Sequence, residues 1–60
     1  RLIAAISSLP DKQRIVFNLR YYDELSYEEM STLLDTSSSA LRASYHFAAE
    51  KVREILKQNK

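Results

Sequence analysis

The sequence predicts an all-α domain of four helices in which the last helix is the longest. Three observations support this fold class. The 60 residues include no glycine and a single proline, which leaves almost no turn chemistry for β-hairpins. Apolar residues recur at spacings of three and four along most of the chain. Polar residues suited to capping helices stand between these apolar segments, and a chain of this length forms one domain at most.

The first two helices meet at Pro10. Apolar residues spaced for a short first helix precede it: Leu2, Ile3, Ile6 and Leu9. We expect this helix to stop before Pro10, which suits the first turn of a second helix because its missing N–H group costs nothing there. The second helix should end around residues 21–24, with four residues on its apolar face: Ile15, Val16, Leu19 and Tyr22.

The third helix has a recognisable start. Ser26 and Glu29 have the spacing of a capping box, and Leu25 and Met30 stand where a hydrophobic staple is expected. Its apolar side is predicted to consist of Met30, Leu33 and Leu34. We expect the helix to end at Leu34 or Asp35, with Asp35 replacing the glycine that often forms a C-cap.

The fourth helix is predicted to span residues 38–57, about 30 Å at ~1.5 Å per residue. A turn of about three residues, 36–38, precedes it, and any serine from Ser37 to Ser39 can serve as its N-cap. Its apolar stripe consists of Leu41, Tyr45, Ala48, Val52, Ile55 and Leu56. Over the whole domain we expect these residues to be buried: Leu9, Val16, Leu19, Met30, Leu34, Leu41, Tyr45, Ala48 and Val52.

Two helices joined by so short a turn indicate a helix-turn-helix, here without a wing. The face of the fourth helix opposite its apolar stripe holds Ser39, Arg42, Ala43, His46, Phe47 and Glu50. Most of these lie in the first turns, the part of a recognition helix that enters the major groove. Arginine can bind guanine, and alanine or phenylalanine can pack on a thymine methyl group. Ser37, Ser38 and Ser39 could bind a phosphate, with Ser44 beside the DNA backbone.

The composition argues against other classes of function. The chain has no cysteine, which excludes disulfides and thiolate metal sites, and no apolar run approaches the ~20 residues of a membrane span. Neither a glycine-rich phosphate loop nor a nucleophile paired with a base is present, and we therefore expect no enzyme activity, cofactor or metal. Residues 37–60 carry five basic and two acidic side chains, whereas residues 1–36 carry four and six. This asymmetry indicates that the basic end, residues 37–60, is the one that meets a polyanion.

An ordered set of residues resembles region 4 of the sigma-70 family, in the extracytoplasmic-function (ECF) group. The first half of the set is Leu9-Pro10, Arg14, Val16-Phe17, Leu19, Ser26-Tyr27 and Glu29-Met30, and the second half is Leu41, Arg42, Tyr45 and Ala48. The resemblance covers residues 2–56. It implies a domain that reads the −35 promoter element and docks on RNA polymerase core, and it makes an anti-sigma factor a candidate partner. It also implies a monomeric C-terminal domain, residues 1–60, of a larger bacterial cytoplasmic sigma factor.

The chain departs from the family pattern at several positions. Asp35 stands where the turn commonly has glycine, and three other residues replace common basic ones: Ser44, Phe47 and Ala49. The segment "SALRASYHF" resembles sigma factors of the Bacteroidetes lineage. Fewer basic residues imply weak DNA binding by the isolated domain.

Two other functions fit the same helices. The DNA-binding domain of a two-component response regulator also has four helices with a long last one. A pure protein-interaction module could use the exposed Phe47 and the weakly basic face for a protein partner. Salt dependence discriminates the last possibility, because phosphate contacts give DNA binding a steep salt slope.

Overall fold

The computed structural model describes residues 1–58 and confirms the all-α fold of four helices. The helices are α1 (Leu2–Ser7), α2 (Asp11–Tyr21), α3 (Tyr27–Leu34) and α4 (Ser38–Gln58). Each lies within a few residues of its predicted position. Pro10 is the N-cap of α2 rather than a residue of its first turn, and the α3–α4 turn begins one residue earlier than predicted.

The long helix α4 packs against all three other helices and holds the domain together. Its buried side takes part in two core clusters. The α1 cluster consists of Ala5, Ile6, Leu9, Phe17, Ala48 and Val52. The α3 cluster consists of Val16, Met30 and Leu41. Tyr45 packs against both clusters and so connects them along α4.

The predicted core is confirmed at three positions of α4, Leu41, Ala48 and Val52, and corrected on α2. Six of the predicted residues are buried: Leu9, Val16, Met30, Leu41, Ala48 and Val52. Leu19, Leu34 and Tyr45 are only partly buried. The predicted apolar face of α2 is wrong in two places, since Ile15 and Tyr22 are exposed, whereas Phe17 is buried. Because α2 meets α1 on one side and α3 on the other, its buried residues are the neighbours Val16 and Phe17, one in each cluster.

Helices α1 and α3 also differ from the predicted pattern of burial. Ile3 of α1 and Leu33 of α3 were predicted to lie on apolar faces, but both are exposed. These helices have 6 and 8 residues, and each packs on the rest of the domain along a narrow stripe. In α1 the small Ala5 is buried instead, since it fits closely against α4.

The capping box at the start of α3 is present as predicted. The Glu29 N–H group donates to Ser26 Oγ at 3.0 Å, and the Ser26 N–H group donates to Glu29 Oε1 at 2.8 Å. Met30 is fully buried, and Leu25 packs against the same cluster, as a hydrophobic staple requires. These contacts fix where the chain enters α3, the first helix of the helix-turn-helix.

Replacing Ser26 with alanine should destabilise the domain by about 1 kcal/mol, because the Glu29 N–H group loses its acceptor at the helix start. Urea denaturation followed by circular dichroism measures the effect. Ser39→Ala is the matched control, since Ser39 lies exposed in α4 and its loss should change the free energy of unfolding by less than about 0.5 kcal/mol. Equal effects of the two substitutions would contradict the role of the capping box.

Two turns adopt left-handed backbone conformations without glycine. Asp35 has φ 52° and ψ 47° at the C-cap of α3, and its N–H group donates to the Ser31 carbonyl. This confirms that aspartate takes the position of a C-cap glycine. Glu24, between α2 and α3, has φ 56°, which the sequence did not predict. Among non-glycine residues, aspartate tolerates this region comparatively well because its short side chain can bond locally.

The helices have no membrane-spanning character in the described part of the chain. None of them, within residues 1–58, combines the length and the apolarity needed to cross a bilayer.

Candidate nucleic-acid interface

The turn between α3 and α4 consists of residues 35–37. Ser37 caps α4: its Oγ accepts a hydrogen bond from the Ala40 N–H group at 3.2 Å, and its carbonyl accepts from Leu41 at 3.0 Å. The N–H groups of Ser38 and Ser39 precede the first intrahelical bond and therefore lack a helical acceptor. No acidic residue lies in the first turn of α4, so no carboxylate within this helix offsets the positive end of its dipole.

An exposed face of α4 begins directly after this cap. Five predicted contact residues line one shallow surface depression, which we call the groove face: Ser39, Arg42, Ala43, His46 and Phe47. All five are exposed, and Phe47 is the most prominent apolar one, at 59% exposure. Leu41, Ala48 and Val52 of the same helix are buried. The structure therefore brings these five predicted residues together on the side of α4 away from the core.

Ser44 lies apart from the groove face. It is half-buried and lines a different depression, between α2 and α4, together with Lys12, Ile15 and Ala40. Lys12 is exposed at this second depression. Ser38, the first residue of α4, is also half-buried. The predicted contact residues thus fall into three places: the cap, the groove face, and the depression beside α2.

The far end of the groove face carries an ionisable pair. His46 Nε2 lies 3.7 Å from Glu50 Oε2, and both side chains are exposed. The His46 ring also contacts the Phe47 ring edge-on, with 5.8 Å between centroids. Glu50 places a negative charge beside the face, which lowers its attraction for a polyanion.

Arg42 contacts a residue that the sequence did not assign to the site. Its Cζ atom lies 4.9 Å from the centre of the Tyr27 ring, and Cζ of Arg20 lies 5.1 Å from the same ring. Arg20 comes from α2, Tyr27 begins α3 and Arg42 belongs to α4. Helical periodicity describes one helix at a time, so it carries no signal for a contact between three helices.

The described residues include no cluster of side chains that could bind a metal ion. Residues 1–58 hold no group of three histidine, cysteine, aspartate or glutamate side chains close enough to bind a metal ion.

Comparison with known proteins identifies the family. The family model for sigma-70, region 4 matches residues 1–52. Searches of curated proteins and of solved structures give no match. The family match favours the sigma-factor interpretation over the response-regulator alternative. With its helix-turn-helix and exposed groove face, the chain belongs to the sigma-70 region 4 family, the non-enzymatic DNA-binding domains with which sigma factors recognise promoters and work with RNA polymerase.

Proposed function

We propose that this domain reads the −35 element of promoters for an alternative sigma factor of the ECF group, of the Bacteroidetes type. The observation that carries the proposal is the groove face itself, five exposed side chains at the start of α4 directly after a capped turn. The ECF assignment is supported by the sequence resemblance. In this proposal residues 1–60 form the C-terminal domain of a larger sigma factor in the bacterial cytoplasm, with RNA polymerase core as partner.

The proposed contacts follow from where each residue lies. Ser37, Ser38 and Ser39 sit at the start of α4, where free N–H groups and hydroxyls can bind a DNA phosphate. Arg42 can bind a guanine edge or a phosphate, and His46 can contact a base. Ala43 and Phe47 add apolar surface suited to thymine methyl groups. Ser44 would flank the DNA backbone from the side of α2.

The groove face has little charge for a DNA-binding surface. Arg42 is its only arginine or lysine, and Glu50 lies at its edge. Counterion release supplies most non-specific affinity, and it scales with the number of phosphates that basic residues neutralise. We therefore expect the isolated domain to bind DNA near the ~10⁻⁴–10⁻⁶ M that is typical of non-specific binding. Attachment to polymerase would supply the missing affinity by raising the local concentration of the domain at the promoter.

An acidic surface at the α2–α3 end is the proposed side for protein partners. Asp23, Glu24, Glu28 and Glu29 are all exposed there. Negative charge at this end would be repelled by DNA and attracted to basic protein surfaces. We propose that α2 and α3 lie toward polymerase and toward an anti-sigma factor.

Titrating the domain against duplex DNA tests the proposal. Fluorescence anisotropy would be measured with duplexes selected from a random-sequence library and with scrambled versions, between about 50 and 200 mM salt. We expect weak binding, a preference for the selected duplex, and a binding constant whose logarithm falls linearly with the logarithm of the salt concentration. Failure to select any sequence, together with no salt dependence, would instead favour the protein-interaction module.

Phe47→Arg should raise the affinity for all duplexes and steepen the salt slope by about one, because it adds one phosphate-neutralising charge to the groove face. Discrimination between selected and scrambled duplexes should fall, since an apolar base contact is lost. Ile3→Arg is the matched control: Ile3 is exposed on α1 and lines a different surface depression, so the same charge is added outside the groove face. If Phe47→Arg leaves DNA binding unchanged but abolishes binding to an anti-sigma protein, Phe47 belongs to a protein interface.

A further inference from the structure

Three side chains form a cluster beside the groove face, with Tyr27 at its centre. The two guanidinium groups of Arg20 and Arg42 lie 5.1 Å and 4.9 Å from its ring, so their Cζ atoms are no more than about 10 Å apart, the sum of those distances. Both distances fall within the ~6 Å of a cation–π contact. One aromatic ring therefore interacts with two cations from two different helices.

The Tyr27 ring is held in place independently of Arg42. Tyr27 is half-buried as the first residue of α3, directly after the capping serine, and it packs against the α3 cluster. Arg20 is half-buried too, and its Nη1 donates to the Leu25 carbonyl at 3.1 Å, which ties α2 to the start of α3. The ring therefore offers Arg42 a fixed surface.

Within residues 1–58, the Tyr27 ring is the partner of the Arg42 guanidinium, which forms no ion pair there. The ion pairs found within residues 1–58 join Arg14 to Asp11 and His46 to Glu50, so they do not include Arg20. An exposed arginine without a partner samples many rotamers, and that freedom is lost when it binds DNA. Contact with a fixed ring restricts the side chain before binding and so lowers this entropic cost.

We propose that Tyr27 is a positioning residue for DNA recognition, whose ring holds the Arg42 guanidinium at the edge of the groove face. This inference rests on the proposed function, since it assigns Tyr27 a role in the DNA contact of Arg42. The ring face attracts the cation, so the Tyr27 hydroxyl is not required. Phenylalanine at this position should preserve the effect, whereas an aliphatic residue should abolish it.

A double-mutant cycle on DNA binding tests the inference. Tyr27→Leu should weaken binding to the selected duplex about two- to fivefold, as expected for an exposed cation–π contact. Tyr27→Phe should stay within about twofold of the original chain. In an Arg42→Ala background, Tyr27→Leu should cause no further loss, because the side chain that the ring positions is gone. Tyr27→Met serves as a second aliphatic variant should Tyr27→Leu fail to fold.

A measurement without DNA separates the inference from the proposed function. The NMR signal of the Arg42 Nε–Hε group in the free domain should move on Tyr27→Leu or Tyr27→Met and stay in place on Tyr27→Phe. If this pattern appears but Arg42→Ala leaves DNA affinity unchanged, the contact is real and the DNA role of Arg42 is wrong. The positioning role would be overturned if the Arg42 NMR signal were the same in all Tyr27 variants. It would also be overturned if Tyr27→Leu lowered DNA affinity equally with and without the Arg42 side chain.

Discussion

Leu41→Ala is expected to lower the free energy of unfolding by about 2–5 kcal/mol. Leu41 is 2% exposed, and the α3 cluster to which it belongs has two other buried members, Val16 and Met30. The substitution removes the apolar contacts of Leu41 and leaves a cavity that the surrounding side chains fill only in part. A domain of this length has a total stability on the order of 3–9 kcal/mol, so the loss is a large fraction of it.

Urea denaturation followed by helical circular dichroism measures the loss. Leu33→Ala is the matched control, because Leu33 is a leucine in the same helix-turn-helix that is 62% exposed. Its substitution should change the unfolding free energy by about 0.5 kcal/mol or less. Similar effects at the two leucines would show that the α3 cluster does not stabilise the domain as the burial indicates.

Arg42→Ala should weaken DNA binding by about 1–3 kcal/mol, which corresponds to roughly 5- to 150-fold in affinity. Arg42 carries the only full positive charge on the groove face. A base contact predicts that the loss is larger for the selected duplex than for a scrambled one. A phosphate contact predicts an equal loss for both and a salt slope reduced by about one.

Anisotropy titrations of both duplexes distinguish these outcomes. Arg53→Ala is the matched control, because Arg53 is an exposed arginine of the same helix outside the groove face. It should change affinity much less than Arg42→Ala. An Arg42→Ala domain that is folded by circular dichroism and binds both duplexes as before would refute the role of Arg42.

Local chemistry explains which parts of the fold were predictable. The capping box of Ser26 and Glu29 and the C-cap at Asp35 depend on residues within a few positions of each other, and both are present as predicted. The burial of Phe17 in place of Ile15 depends on α2 lying between two other helices. Helical periodicity can show that a face is apolar, but the choice between neighbouring apolar residues is made by tertiary packing.

The candidate site divides in the same way. The exposure of the groove face follows from the buried stripe on the same helix, and the sequence therefore predicted it. The separation of Ser44 depends on where α2 lies, and the contact between Arg42 and Tyr27 depends on how α3 crosses α4. Neither feature could be predicted without knowing how the helices are arranged in space.

The length of α4 makes it a rigid lever. It runs for 21 residues without an internal proline or glycine, the common causes of a sharp kink. The groove face lies near one end of α4 and the exposed Lys57 near the other. Lys57 is 16 residues beyond the buried Leu41, which is about 24 Å along the helix axis. A 10° tilt of the helix about Leu41 therefore moves the Lys57 end by about 4 Å. A protein bound at the Lys57 end would therefore set the angle at which α4 meets DNA without contacting the groove face.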